Sequence, residues 1–137
     1  MDQYANLVIR HPETTFIGAH VGCYAKNLDW ICPLLDRCPN FYKNITARLG
    51  ELGRQPYSAR RFFIEYQDRI LFGTDFPAFV DTYRLHYLFL EIDDEYMNYS
   101  VSDPPDQIRW RVYGLYLPDE VLEKVYYRNA QKIICFT

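Results

Sequence analysis

Apolar residues in this chain form short β-rich runs that alternate with longer segments of helical periodicity. Three runs, at residues 14–20, 40–46 and 69–75, are rich in aromatic, β-branched or Leu residues and end in polar ones. Their centres lie roughly thirty residues apart, the spacing of a strand plus a crossover helix. The pattern predicts an α/β fold with parallel strands.

The segments between these runs carry helical patterns. Residues 2–10 place apolar side chains on one face, and residues 28–37 form a second helix despite an internal proline. Ser58 is the predicted N-cap of a helix over residues 59–66. The order of elements therefore reads as alternating helix and strand.

About forty residues separate the third run from the last helix, which is long for an α/β connection. We interpret residues 79–117 as an insertion, with a helix over 82–92 and strand or irregular structure over 108–117. Such insertions commonly build substrate lids, and the alternative is a surface excursion without a role in the site. The last helix begins near Pro118, and its apolar stripe comprises Val121, Leu122, Val125, Tyr126, Ala130, Ile133 and Ile134.

Composition narrows the class of protein. The 137 residues are 49% hydrophobic and 18% aromatic, enough for a sizeable core in one domain over residues 1–137. A net charge of −3 does not suggest a nucleic-acid surface. No apolar run reaches the roughly 20 residues of a membrane span, and the start lacks the zones of a signal peptide. We expect a cytoplasmic protein without a nucleic-acid or membrane partner.

The four cysteines are expected to be reduced thiols. Cys23, Cys32, Cys38 and Cys135 form no CxxC pair and match no structural zinc spacing. Without an export signal, disulfides are not expected.

Polar side chains that can take part in catalysis or binding lie where each predicted strand ends. His20 ends the first run, Asn44, Thr46 and Arg48 end the second, and Asp75 ends the third. Because ligand sites in parallel α/β folds form at the carboxyl ends of strands, these groups should converge on one rim. An imidazole, a guanidinium and a carboxylate together can hold a metal, move a proton and bind an anion.

Each of these residues also has a structural interpretation. His20 can be a core histidine with a satisfied hydrogen bond, and Asp75 can cap a turn before Phe76-Pro77. Arg48 can pair with Glu51 at the surface. The other two histidines lie off the strand ends and are expected to be surface or packing residues.

Four segments together resemble a known family. Residues 16–22, 39–48 and 69–77 are similar to the sixth, seventh and eighth strands of amidohydrolase family 2, whose members are metal-dependent (β/α)8 TIM-barrel proteins. Residues 127–133 resemble the closing helix of that barrel. The resemblance implies that the chain is the C-terminal part of such a barrel, with strands 6–8 and a long insertion before the last helix.

The resemblance also implies roles. In the family the eighth-strand aspartate lies beside a divalent metal, usually zinc, and helps to activate water, which would make Asp75 both a metal ligand and a catalytic residue. The sixth-strand histidine is a catalytic acid or base, which points to His20. Because a guanidinium suits bidentate contact with a carboxylate, Arg48 is a candidate for binding a small-molecule substrate that carries one.

The chain also departs from the family pattern. The His-x-His pair of the first strand and the histidine of the fifth are missing, and three strands fall short of the eight that about 250 residues build. Asn44 stands where many relatives have an aspartate. We therefore expect zinc binding and catalysis only in a complete enzyme, with this chain inactive alone.

Three functions compete at this level. The first is metal-dependent hydrolysis, or nonoxidative decarboxylation, of a small carboxylate-bearing substrate, with the missing half supplied elsewhere. The second is a non-catalytic interaction or scaffold remnant of the same fold, which would form a homo-oligomer to cover open strand edges. The third, a flavodoxin-like binding domain, lacks a glycine-rich phosphate loop.

Overall fold

The computed structural model describes residues 2–100, 102, 104–105 and 108–134. Its elements in chain order are α1 (Asp2–Arg10), β1 (Phe16–Gly18), α2 (Ala19–Gly22), α3 (Leu28–Arg37), β2 (Phe41–Asn44), α4 (Leu49–Leu52), α5 (Pro56–Glu65), β3 (Ile70–Leu71), α6 (Val80–Glu91), α7 (Asp119–Glu123), a π-helical turn (Lys124–Arg128) and α8 (Asn129–Ile133).

The strands form one parallel sheet in the order β1-β2-β3. Phe16 is paired with Phe41 between β1 and β2, and Lys43 with Ile70 between β2 and β3. This confirms the predicted parallel α/β fold, and the sheet is compatible with part of a (β/α)8 barrel. Each strand is shorter than its predicted run, because the parallel ladder is limited to Phe16–Gly18, Phe41–Asn44 and Ile70–Leu71.

Two helices begin earlier than the sequence predicted. α5 begins at Pro56, which occupies the first turn, so the prediction of Ser58 as N-cap was wrong. A proline suits that position because its fixed φ matches the helix and its missing N–H costs nothing there. The insertion helix α6 begins at Val80. The predicted bounds of α1 and α3 are those observed.

The last helix caps the outer edge of β3. Its π-helical turn leaves the Val125 carbonyl to accept the Phe72 N–H at 2.9 Å. The buried Asn129 side chain donates to the carbonyls of Gln67 and Ile70 at 2.7 and 2.8 Å. β2 pairs with the opposite edge of β3. The bonds from the last helix therefore satisfy backbone N–H and C=O groups that would otherwise form an unpaired strand edge.

The described part of the insertion packs against the helices instead of projecting from them. Val112 is fully buried, and the Tyr113 N–H donates to the Gly53 carbonyl at 3.0 Å. A Cβ on Gly53 would lie 2.5 Å from Val112, so only glycine admits this close approach. The Trp110 indole donates to the Gly50 carbonyl at 3.1 Å, which ties the insertion to α4.

The core lies between the sheet and its helices and contains one unexpected amine. Lys43 on β2 is fully buried, and its Nζ has no hydrogen-bond partner among the described residues. The Nζ lies 3.3 Å from the centroid of the Phe41 ring and 5.1 Å from that of Tyr4. Burial lowers the pKa of Lys43 to about 7, against a smaller opposing effect of Cys23.

Three of the cysteines, Cys23, Cys32 and Cys38, are free thiols as predicted, and Cys135 lies outside the described residues. Among residues 2–100, 102, 104–105 and 108–134, no helix has the length and apolar character that crossing a bilayer requires.

Replacing Lys43 should change how stability depends on pH. The unfolded chain holds this proton up to the ordinary pKa of 10.5, whereas the folded chain releases it near 7. Between those values the unfolded state binds more protons, so folding is penalised at pH 7 and relieved as pH rises. Lys43→Met removes this penalty and should raise the free energy of unfolding at pH 7 by a few kcal/mol.

Urea denaturation at pH 7 and pH 9.5 measures this effect, with Lys26→Met as the exposed control. The gain in Lys43→Met should shrink at the higher pH. An equal pH dependence in the wild type and in Lys43→Met would contradict a buried amine with a depressed pKa.

Asn129→Ala should destabilise the fold by roughly 1–3 kcal/mol, because it removes the donor from two backbone carbonyls at the edge of β3. Gln131→Ala, an exposed position two residues along, should change stability by about 0.5 kcal/mol or less. Chemical denaturation of both variants is the measurement, and equal midpoints would show that the edge does not depend on this amide.

Candidate active site

All three strands turn into left-handed backbone at their carboxyl ends. After β1, His20, Val21 and Cys23 have φ values of 56°, 53° and 59°. After β2 and β3, Ala47 and Asp75 have φ values of 51° and 68°. For residues with a Cβ this conformation costs roughly 1–2 kcal/mol each, and it is concentrated at functional sites.

The turn after β1, α2, presents His20 at this rim. Val21 is 1% exposed, so its burial offsets part of the strain. Gly22 has a φ of 68°, and a Cβ there would lie 2.5 Å from the Lys43 Nζ beneath it. The turn therefore sits directly on the buried amine.

His20 and Asp75 lie together at the carboxyl edge of the sheet. The distance from His20 Nε2 to Asp75 Oδ2 is 3.9 Å, and the two side chains are 25% and 54% exposed. This distance is longer than a direct hydrogen bond, yet one group between the two atoms can contact both. The two side chains are thus close enough for one small group to contact both.

The end of β2 holds His20 from the opposite side. The His20 backbone N–H donates to Asn44 Oδ1 at 3.0 Å, and its Nδ1 lies 2.9 Å from the Thr46 carbonyl oxygen. From the sequence, Asn44 and Thr46 were only polar residues at a strand end. Their contact with His20 depends on the β1–β2 register, which the sequence pattern does not specify.

Arg48 is not part of this cluster of contacts. Its Nη1 donates to Glu51 Oε1 at 2.7 Å, and both side chains are about 30% exposed. Its Nε is buried and has no acceptor among the described residues. The structure thus shows the ion pair that the sequence allowed as the structural alternative.

The remaining histidines lie away from the rim cluster. His11 is exposed and faces Glu13 at 3.4 Å. His86 is buried on α6, where its Nδ1 bonds the Thr82 carbonyl and its ring packs edge-on against Phe72. These are the surface and packing positions that the sequence predicted.

The described residues by themselves do not form a metal site. His20 and Asp75 offer one nitrogen and one carboxylate, whereas a catalytic zinc site uses three protein ligands. The described residues hold no group of three or more His, Cys, Asp or Glu side chains placed for one ion. The residues present therefore do not suffice for the metal that the resemblance implies.

A separate cleft of about 750 Å³ lies between the start of α5 and the insertion. Arg54 and Arg60 line it together with Asp93 and Glu95. The opposed charges specify no single class of ligand, and none of the residues at the strand ends lines this cleft.

Comparison with known proteins identifies the family of this chain. Residues 1–135 match the family described as amidohydrolase, and members of this family of hydrolases are generally metal-dependent. The chain has no significant match among curated proteins or among solved structures. Because the family match covers nearly every residue, the chain belongs to the amidohydrolase family.

Proposed function

We propose that this chain supplies the acid/base half of an amidohydrolase active site acting on a small, carboxylate-bearing molecule. The approach of His20 Nε2 to Asp75 Oδ2, 3.9 Å apart at the carboxyl edge of a parallel sheet, carries the proposal. Both side chains remain partly exposed, so a substrate can reach them.

Either of two reactions suits this pair. In hydrolysis, Asp75 orients water and accepts its proton as the oxygen attacks. This proton passes to His20 Nε2, and His20 delivers it to the leaving group as the bond to the carbonyl carbon breaks. In nonoxidative decarboxylation, the C–C bond breaks to release CO₂. His20, first protonated at Nε2 from solvent, gives this proton to the carbon that keeps the electron pair. Atoms and charge balance in both without an oxidant or reductant.

Arg48 is the proposed anchor for the substrate carboxylate. Its partner Glu51 is partly exposed, and exposed ion pairs contribute only about 0–1 kcal/mol. A substrate carboxylate in bidentate contact can therefore displace Glu51 at little cost.

The proposed cofactor of the complete site is a divalent metal ion, with zinc as the first candidate and Asp75 as one ligand. Two donors are too few for a stable site, so further imidazoles have to come from outside the described residues. On its own, this chain is proposed to be inactive.

Substitution of the pair should abolish most turnover. In protein tagged and purified from its native host, His20→Gln and Asp75→Asn should each lower kcat by about 10²–10⁴-fold, because general acid–base catalysis contributes that much. KM should change little. The assay follows ammonia or alcohol release and CO₂ release separately over a panel of small carboxylate-bearing amides, esters and aromatic acids.

His11→Gln is the matched control, because the exposed His11 side chain faces Glu13 and lies away from His20 and Asp75. Its turnover should equal that of the wild type. Turnover that survives both substitutions would remove His20 and Asp75 from the chemistry.

A second candidate function, a non-catalytic scaffold that forms a homo-oligomer, has one observation in its favour. β1 is an edge strand, and Ile17 at its centre is 46% exposed, an apolar side chain on an open border of the sheet. Such edges pair with other chains unless they are covered.

If copies pair through β1, the purified chain should sediment as a dimer at tens of micromolar, and Ile17→Lys should sediment as a monomer, because a charged edge residue opposes strand pairing. Tyr57→Lys, at an exposed position on α5, should leave the dimer intact. Analytical ultracentrifugation distinguishes these cases, and a monomeric wild type would exclude the scaffold role.

A further inference from the structure

The end of β2 surrounds His20 with a small hydrogen-bond network, which we call the clamp: the side chains of Asn44 and Thr46 and the Thr46 carbonyl. The His20 N–H donates to Asn44 Oδ1 at 3.0 Å and approaches Thr46 Oγ1 at 3.3 Å. The Thr46 hydroxyl donates to the same Asn44 oxygen at 2.6 Å. Backbone and ring of His20 are thus held by one element.

The directions of these bonds follow from the chemistry of the groups. A backbone N–H only donates, so the Asn44 atom that faces it is the amide oxygen and not the nitrogen. The Thr46 hydroxyl gives its proton to that oxygen, which leaves Thr46 Oγ1 as an acceptor. Every clamp atom that faces His20 therefore accepts.

The acceptors around His20 determine which imidazole nitrogen carries the hydrogen. Nδ1 lies 2.9 Å from the Thr46 carbonyl and 3.2 Å from Thr46 Oγ1, and a carbonyl can only accept. In the neutral ring Nδ1 then carries the hydrogen, and the lone pair is on Nε2. That lone pair is on the atom that faces Asp75 Oδ2.

The clamp also holds a strained backbone. His20 and Val21 take φ values of 56° and 53°, which their side chains disfavour. The two acceptors at the His20 N–H stabilise that conformation. The ring is presented at the rim only while this turn is maintained.

We propose that Asn44 and Thr46 are positioning residues that hold His20 as the Nδ1–H tautomer, so that Nε2 is its proton-exchanging atom. The catalytic part of this inference rests on the proposed function, whereas the tautomer itself is a property of the folded chain.

The tautomer can be measured without any substrate. In ¹⁵N-histidine-labelled chain at pH 8.5, long-range ¹H–¹⁵N correlation spectra distinguish Nδ1–H from Nε2–H rings. His20 should show the Nδ1–H pattern, which free histidine disfavours, and its signals are assigned by their loss in His20→Gln. His86, whose Nδ1 also bonds a carbonyl at 2.8 Å, serves as the internal reference for the Nδ1–H form. The exposed His11 serves as the reference for a ring that exchanges between both tautomers.

Variants of the clamp test its side chains. Asn44→Ala and Thr46→Val should let Nε2–H populate at His20 while His86 stays unchanged. Thr46→Ser, which keeps the hydroxyl, should retain the wild-type spectrum. In the native-host assay Asn44→Ala should lower kcat at least tenfold with little change in KM, and Thr46→Ser should be near wild type.

The outcomes separate the two proposals. A wild-type His20 in the Nε2–H form overturns the clamp whatever the activity, and this measurement stands even if a variant fails to fold. A tautomer that does not respond to Asn44→Ala or Thr46→Val excludes their positioning role. If the tautomer shifts while turnover is unaffected, the clamp holds and the acid/base role of His20 is wrong.

Discussion

The arrangement of the rim depends on one constraint: the carboxyl end of β1 is bonded to the carboxyl end of β2 through His20. The backbone N–H of His20 and its Nδ1 both find partners at the end of β2. Without these bonds, the left-handed turn at His20 and Val21 would lose its main support, and His20 would no longer be held close to Asp75, which lies beyond the end of β3. The approach of His20 to Asp75 therefore involves the carboxyl ends of all three strands.

The same turn is supported from below by an unusual group. Lys43 fills the space beneath Gly18 and Gly22, where a Cβ on either glycine would lie within 3 Å of the Nζ. An amine without a hydrogen-bond partner is costly to bury, and the low pKa reduces that cost by favouring the neutral form. The rim thus combines a strained backbone with a desolvated amine beneath it. Both features are locally unfavourable, and folds tolerate such features near functional sites.

Much of this architecture was accessible from the sequence. Parallel strands place their carboxyl ends at one edge, so the spacing of the apolar runs was enough to predict that His20 and Asp75 lie near each other. The left-handed turn was not predictable, because His20, Val21 and Cys23 all favour other conformations and only long-range hydrogen bonds reverse the preference. The burial of Lys43 did leave a signal: in β2 it alternates with Tyr42 and shares a face with Phe41. The π-helical turn left none, since it exists to meet the edge of β3.

The two borders of the sheet differ in what they offer to another molecule. The β3 border is already occupied by Val125 and Asn129 of the last helix, whereas the β1 border presents Ile17. In the part of the chain that the structure describes, a copy that associates through β1 keeps no second strand border for a third copy. Growth by strand addition would end at a closed twofold pair instead of continuing into a fibre. By bonding the β3 border, the last helix thus leaves strand pairing to the β1 border.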